Sequence, residues 1–143
     1  MSIHYITFQA SVHATESDDR VKTALSLFLF DNEIYLNNTE GHFGNPISIM
    51  EARIKGRKCN QFIELLKSKL PSSEIQRLKN ELEERIDDEC NLHIRFDKQA
   101  AFQGMVKLAT SGDMIVVQIK IKAYPASYEN AIVAARKIFE NLS

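Results

Sequence analysis

Alternation of apolar and polar residues marks three segments of the chain as strands. Residues 3–13, 91–97 and 117–122 place mostly apolar side chains at every second position. A period of two is typical of a strand with one buried and one solvated face. Two more strands are predicted at 33–38 and 47–54, which flank a stretch rich in turn formers and should form a hairpin with a long tip.

One further short strand is expected before the last one. Residues 110–113 read TSGD, a composition that is typical of a turn. We therefore expect residues 105–109 to pair with the strand that begins at Met114.

Apolar residues at helical spacing predict four helices. The first covers about 16–30 and follows Thr15, whose hydroxyl can cap it. The others cover 59–70, 75–86 and 128–142. Charged residues alternate on the outer face of the third helix, which is typical of a solvated surface.

This order of elements predicts an α+β fold in which the helices pack mainly on one face of a mixed β-sheet. The other face should be polar and basic. We consider three roles for it: a merely solvated face, a platform for single-stranded RNA, or a dimer interface. The residues predicted there are Tyr5, Thr7, Gln9, Ser11, His93, Arg95, Gln118, Lys120 and Lys122.

Composition indicates one globular domain over residues 1–143. The chain is 26% charged and 44% hydrophobic, with three Pro and five Gly, proportions ordinary for such a domain. We see neither a membrane-spanning run nor a signal peptide and expect a cytoplasmic protein. The net charge of −1 conceals two acidic and two basic segments. A near-neutral total is not that of a strong duplex binder, so no DNA specificity is expected.

Motifs for catalysis are missing from the sequence. No nucleophile elbow, Walker loop or dinucleotide fingerprint occurs. The four histidines are dispersed, and Cys59 and Cys90 form no Cys-x-x-Cys pair. The pair H-x-x-E at 13–16 and the acidic run 87–89 could hold metal ions, but we interpret them as a helix cap and a solvated helix end. We predict no catalytic residue, metal or cofactor, and keep a metal-dependent phosphodiesterase as a distant alternative.

The stretch 41–46 (GHFGNP) is chemically suggestive. Its glycines let the backbone approach a phosphate closely and expose N–H donors, to which His42 and Asn45 could add side-chain bonds. The alternative is an ordinary hairpin end built from turn residues.

Four segments resemble an archaeal RNA-binding family that is also described as a predicted exosome subunit. They are 13–16 (HATE), 41–47 (GHFGNPI), 85–88 (RIDD) and 95–104 (RFDKQAAFQG). The resemblance runs from about residue 3 to residue 122, and the second and fourth segments are the specific ones. The chain departs from the family pattern at Phe43, where the pattern has Tyr.

The resemblance implies a fold like that of the large-subunit ribosomal protein that binds 5S RNA, and an archaeal source. We predict a non-catalytic RNA-binding protein that acts as an accessory in RNA processing, associated with the exosome, or in ribosome biogenesis. The alternative is a protein-interaction module or homodimer without RNA contact. The predicted RNA-binding residues are His42, Phe43, Asn45, Arg95, Lys98 and Gln99. For residues 100–102 we favour burial in the core.

Overall fold

The alternating segments come together in one sheet. The computed structural model describes residues 3–12, 17–29, 35–40, 46–110 and 112–140, with the backbone alone at 35–40 and 46–47. Within these residues the strands are β1 (Ile3–Val12), β2 (Tyr35–Glu40), β3 (Pro46–Lys55), β4 (Asn91–Asp97) and β5 (Met114–Ile121). Their order across the sheet is β2-β3-β1-β5-β4. All four described pairings are antiparallel, so the α+β class is confirmed while the sheet is antiparallel rather than mixed.

Helices supply the second layer. Those described are α1 (Asp18–Leu29), α2 (Arg57–Lys69), α3 (Ser72–Asn80), α4 (Leu82–Arg85), α5 (Lys98–Phe102) and α6 (Tyr128–Glu140). The helices predicted over 16–30, 59–70 and 128–142 are confirmed to within a few residues at their ends. In the part of the chain that the structure describes, none of the helices has both the length and the apolar character needed to cross a bilayer.

The core lies between the helices and one face of the sheet. Four fully buried phenylalanines connect the layers: Phe8 from β1, Phe28 from α1, Phe62 from α2 and Phe96 from β4. Their ring centroids lie 5.0 Å apart for Phe28 and Phe96 and 5.4 Å apart for Phe8 and Phe62. Such aromatic pairs add about 0.5–1.5 kcal/mol each beyond the area they bury. The same core takes Ala101, with Phe102 packed against it, as predicted for residues 100–102.

Two predictions about local structure are wrong. The helix predicted over 75–86 is divided into α3 and α4, and Ile86 is extended and forms a bridge with Leu92 of β4. Residues 105–109 pair with β4 rather than β5, through the bridge between Phe96 and Leu108 and the bond from Ala109 N–H to the Arg95 carbonyl. In both cases the edge of β4 offers unpaired backbone groups that the neighbouring segment satisfies.

Candidate nucleic-acid interface

The sheet face opposite the core is open and polar. Every second residue of β1, β3, β4 and β5 is turned to this face, because neighbouring strand residues point to opposite sides. One row across the face consists of Lys55, Tyr5, Lys120 and Asn91, and the next of Arg53, Thr7, Gln118 and His93. The polar face predicted from the alternation is therefore confirmed; we call it the open face.

One end of the open face is basic. Lys55 on β3 and Lys120 on β5 flank Tyr5 of the central strand β1. Lys122, the next residue but one after Lys120, is exposed beyond the end of β5. The Arg53 guanidinium lies over the Tyr5 ring, 4.2 Å from its centroid. We refer to Lys55, Lys120 and Lys122 as the basic end.

The carboxylates of the open face are bonded to protein donors. Glu51 accepts a hydrogen bond from Gln9 Nε2 at 2.9 Å. Asp97 caps α5 by accepting from the Ala100 N–H at 2.8 Å. These two carboxylates are therefore engaged by donors within the protein, whereas the Lys55 side chain is exposed.

Asp87 closes the turn that leads into β4. Its Oδ1 accepts from the N–H groups of Glu89 and Asn91 at 2.9 and 3.0 Å, and His93 Nε2 donates to its Oδ2 at 2.8 Å. Partial burial alone would raise the pKa of Asp87, but the bonds from His93, Asn91 and Glu89 outweigh it and lower the pKa to about 2. These hydrogen bonds give the Asp87 carboxylate a structural role in the turn. Among the described residues no group of three or more His, Cys, Asp or Glu could hold a metal ion.

Of the three predicted RNA-binding residues on β4 and α5, two are exposed and one is buried. Arg95 and Gln99 are exposed. Lys98 is only 2% exposed, and its Nζ donates to the Ser11 carbonyl at 2.8 Å and lies 3.6 Å from Asp113 Oδ2. A buried ammonium that is held in this way has no access to a phosphate. The assignment of Lys98 as an RNA-binding residue is therefore wrong.

The remaining predicted residues, His42, Phe43 and Asn45, lie outside the described part of the chain, as does the H-x-x-E pair at 13–16. The strands that flank residues 41–45 are described, and β3 starts at the same end of the sheet at which β4 stops. However, β3 and β4 stand three positions apart in the sheet, which is about 14 Å at the usual strand spacing. The strand ends that border the two predicted segments are therefore separated by two strands.

Comparison with known proteins places the chain in a family. The family model described as RNA binding matches residues 5–122. The chain belongs to this RNA-binding family. The resemblance noted in the sequence is thereby confirmed at the level of the family.

Three archaeal proteins are similar to this chain over nearly its whole length. A protein of Pyrococcus abyssi, named as an RNA-binding protein, is 37% identical over 98% of this chain and 96% of its own length. A crystal structure from Archaeoglobus fulgidus is 34% identical, with a TM-score of 0.86 over 95% of this chain and 99% of that one. A structure from Methanothermobacter thermautotrophicus is 33% identical, with a TM-score of 0.83 over 97% of this chain and 99% of that one.

Sequence reasoning missed the contribution of β3 to the basic end. The signal was present as the run 53–58 (RIKGRK), with four cations in six positions. Alternation places Arg53 and Lys55 on the same face of β3, and register places them beside Thr7 and Tyr5. Only the sheet order shows that β3 and β5 both flank β1.

The buried position of Lys98 predicts a structural role for this residue. Replacing Lys98 by Met removes the hydrogen bond to the Ser11 carbonyl and the ammonium beside the Asp113 carboxylate, and we expect a loss of about 2 kcal/mol in the free energy of unfolding because Asp113 can still reach water. Arg95→Met on the exposed face is the matched control and should change that free energy by less than about 0.5 kcal/mol. Urea unfolding of the two variants measures both values. Equal stabilities would contradict the structural assignment of Lys98.

The lowered pKa of Asp87 predicts a specific loss of stability in acid. A carboxyl group whose folded pKa lies below its unfolded value stabilises the fold above the unfolded value, near 4, and this contribution disappears as the pH falls toward 2. With the side chain 38% exposed, solvent screening reduces the effect to about 1 kcal/mol. The difference in unfolding free energy between the parent and Asp87→Asn should shrink by this amount between pH 6 and pH 2. Asp88→Asn is the control, and a pH-independent difference for Asp87→Asn would refute the assignment.

Proposed function

We propose that the protein binds RNA through the open face of its sheet and catalyses no reaction itself. The observation that carries this proposal is the basic end. Lys55 and Lys120 stand at one end of a face that the core holds in place, and the exposed Lys122 follows directly after the end of β5. Lysines at fixed positions on an open sheet are suited to contacting successive phosphates of an RNA strand.

Family membership favours RNA as the ligand of this face. The matching family is described as RNA binding, and a relative that covers nearly the whole chain carries the same description in its name. The residues on the open face add the chemistry that such a ligand requires, since Asn, Gln and Thr side chains can bond to sugars and base edges. We extend RNA binding to this chain on these two grounds.

The stack of Arg53 on Tyr5 gives the face a platform for bases. One side of the Tyr5 ring is covered by the Arg53 guanidinium at 4.2 Å. A guanidinium plane is itself a surface on which an unpaired base can stack. Among the described residues of this face no second arginine is stacked on an aromatic ring, so we propose weak binding that depends mainly on phosphates and has little overall sequence preference.

The cellular role that we propose is that of an accessory in RNA processing, in association with the exosome, or in ribosome biogenesis. The support for this finer role is the resemblance carried by 41–47 and 95–104, which also implies the likeness to the 5S-RNA-binding ribosomal protein. Arg95, at the far end of the open face from the basic end, remains a proposed contact, and so do Gln99 on α5, His42, Phe43 and Asn45.

The basic end can be tested with a pair of matched double variants. Lys55→Gln with Lys122→Gln removes two exposed cations of the basic end, and Lys67→Gln with Lys69→Gln removes two exposed cations from the last turn of α2. Lys120 is left intact because its ammonium donates to the Glu89 carbonyl and its loss would disturb the turn before β4. Binding of labelled single-stranded RNA is measured over a series of salt concentrations.

We expect the open-face variant to bind at least about tenfold more weakly at low salt, because each lost charged contact contributes about 1 kcal/mol. Its salt slope should become shallower by about 1.4, since each phosphate contact on a single strand contributes about 0.7. The α2 variant should show a much smaller change in both quantities. Equal losses in the two variants, with folding intact, would disprove a specific site and favour the interaction module.

A further inference from the structure

A polar groove runs along the outer side of the edge strand β4. Its volume is about 300 Å³, which is at the lower limit for small-ligand pockets and ample for one nucleobase. The residues that line it include Arg77, Glu81, Glu84, Arg85, Arg95 and Thr110. Arg95 belongs both to this groove and to the open face, because its register partner Val116 lies on the open face.

Three of the charged groups in the groove bind one another. The Glu81 carboxylate accepts from Arg77 Nε at 3.0 Å and from Arg85 Nη2 at 2.8 Å. Arg85 Nη1 also donates to the His93 carbonyl at 3.3 Å. Glu81 and Arg85 are therefore already hydrogen-bonded within the protein, and their side chains form one wall of the groove.

Two other charged groups in the groove remain available. Arg95 and Glu84 are both exposed, and within the part of the chain that the structure describes neither side chain forms an ion pair or hydrogen bond. The groove therefore presents a guanidinium without a carboxylate partner together with a carboxylate without a cation partner. A ligand that satisfies both must offer hydrogen-bond acceptors on one edge and donors on another.

This requirement separates the parts of an RNA chain. A phosphate offers acceptors only, so it could accept from Arg95 but would leave the Glu84 carboxylate without a donor and would be repelled by that carboxylate. Guanine offers the acceptors O6 and N7, which an arginine can bind in bidentate fashion. It also presents two adjacent donors, N1–H and the N2 amino group, which match the two oxygens of one carboxylate. Adenine, cytosine and uracil do not carry two adjacent donor groups on one edge.

We propose that the groove binds an unstacked guanine base, with the Glu84 carboxylate accepting from N1–H and N2–H and the Arg95 guanidinium donating to O6 and N7. This inference rests on the proposed function, because the base must come from an RNA strand lying on the open face. Arg95 places the groove directly beside that face, so a base turned outward over the edge of β4 can enter it. The site would add a local preference for guanine to otherwise unspecific binding.

The test uses labelled nine-nucleotide RNAs: all uridine, uridine with one central guanosine, and the same with inosine, which lacks the N2 amino group. Glu84→Gln is compared with Glu83→Gln, which removes the same charge from the neighbouring residue. Glu83 lies outside the groove and pairs with Arg136 at the surface. Anisotropy titrations at one low salt concentration give the affinities.

We expect the parent protein to bind the guanosine RNA about tenfold more tightly than the all-uridine RNA, with inosine in between. Glu84→Gln should abolish most of this preference while leaving the all-uridine affinity nearly unchanged, and Glu83→Gln should retain the preference. An equal gain in affinity for all three RNAs in Glu84→Gln would show that the carboxylate merely repels phosphate and would overturn the guanine site. Binding of all three RNAs by the parent without preference would overturn the site but not the proposed function, whereas no binding of any RNA would overturn both.

Discussion

The sheet buries one face only, and the position of every polar group on the other face depends on this. Phe8, Phe28, Phe62 and Phe96 join β1, β4, α1 and α2 into one core. A shift of any strand by one residue would turn its apolar side chains to water, so the core fixes the register of the sheet. The same register sets Lys55, Tyr5 and Lys120 side by side. The basic end is thus a consequence of how the hydrophobic side is packed.

Arrangement of charge, rather than its total, distinguishes the open face. The chain has a formal net charge of −1, which would not by itself draw it to RNA. On the open face, however, Glu51 and Asp97 are held by bonds from Gln9 and the Ala100 N–H. The lysines of the basic end extend from strands whose positions are fixed. A weakly charged protein can therefore present a local site for a polyanion, with an affinity that falls as salt screens it.

How far the sequence predicted the structure depended on whether the decisive contact was local. Alternation identified β1, β4 and β5, and turn residues identified the β2–β3 hairpin, because both signals lie within a few neighbouring positions. Alternation does not specify a partner, so residues 105–109 were assigned to β5 when they bond to β4.

Within the candidate site, the errors came from contacts between distant parts of the chain. Lys98 comes directly after β4, and its charge suggested a surface cation. Its burial depends on the Ser11 carbonyl, 87 positions away. The outward position of Arg95 could be predicted from the alternation of β4. The groove beside it could not, because Glu84 and Thr110 reach it from separate segments.

The most direct test of the account is lysine footprinting with and without RNA. An acylating reagent modifies exposed lysines, and mass spectrometry reports the fraction modified at each position in one sample. The account predicts that a single-stranded RNA protects Lys55 and Lys122 on the open side, while Lys67, Lys69 and Lys137 on the helical side stay reactive. Protection of the helical lysines, with Lys55 and Lys122 unchanged, would contradict the claim that the open face is the RNA-binding surface.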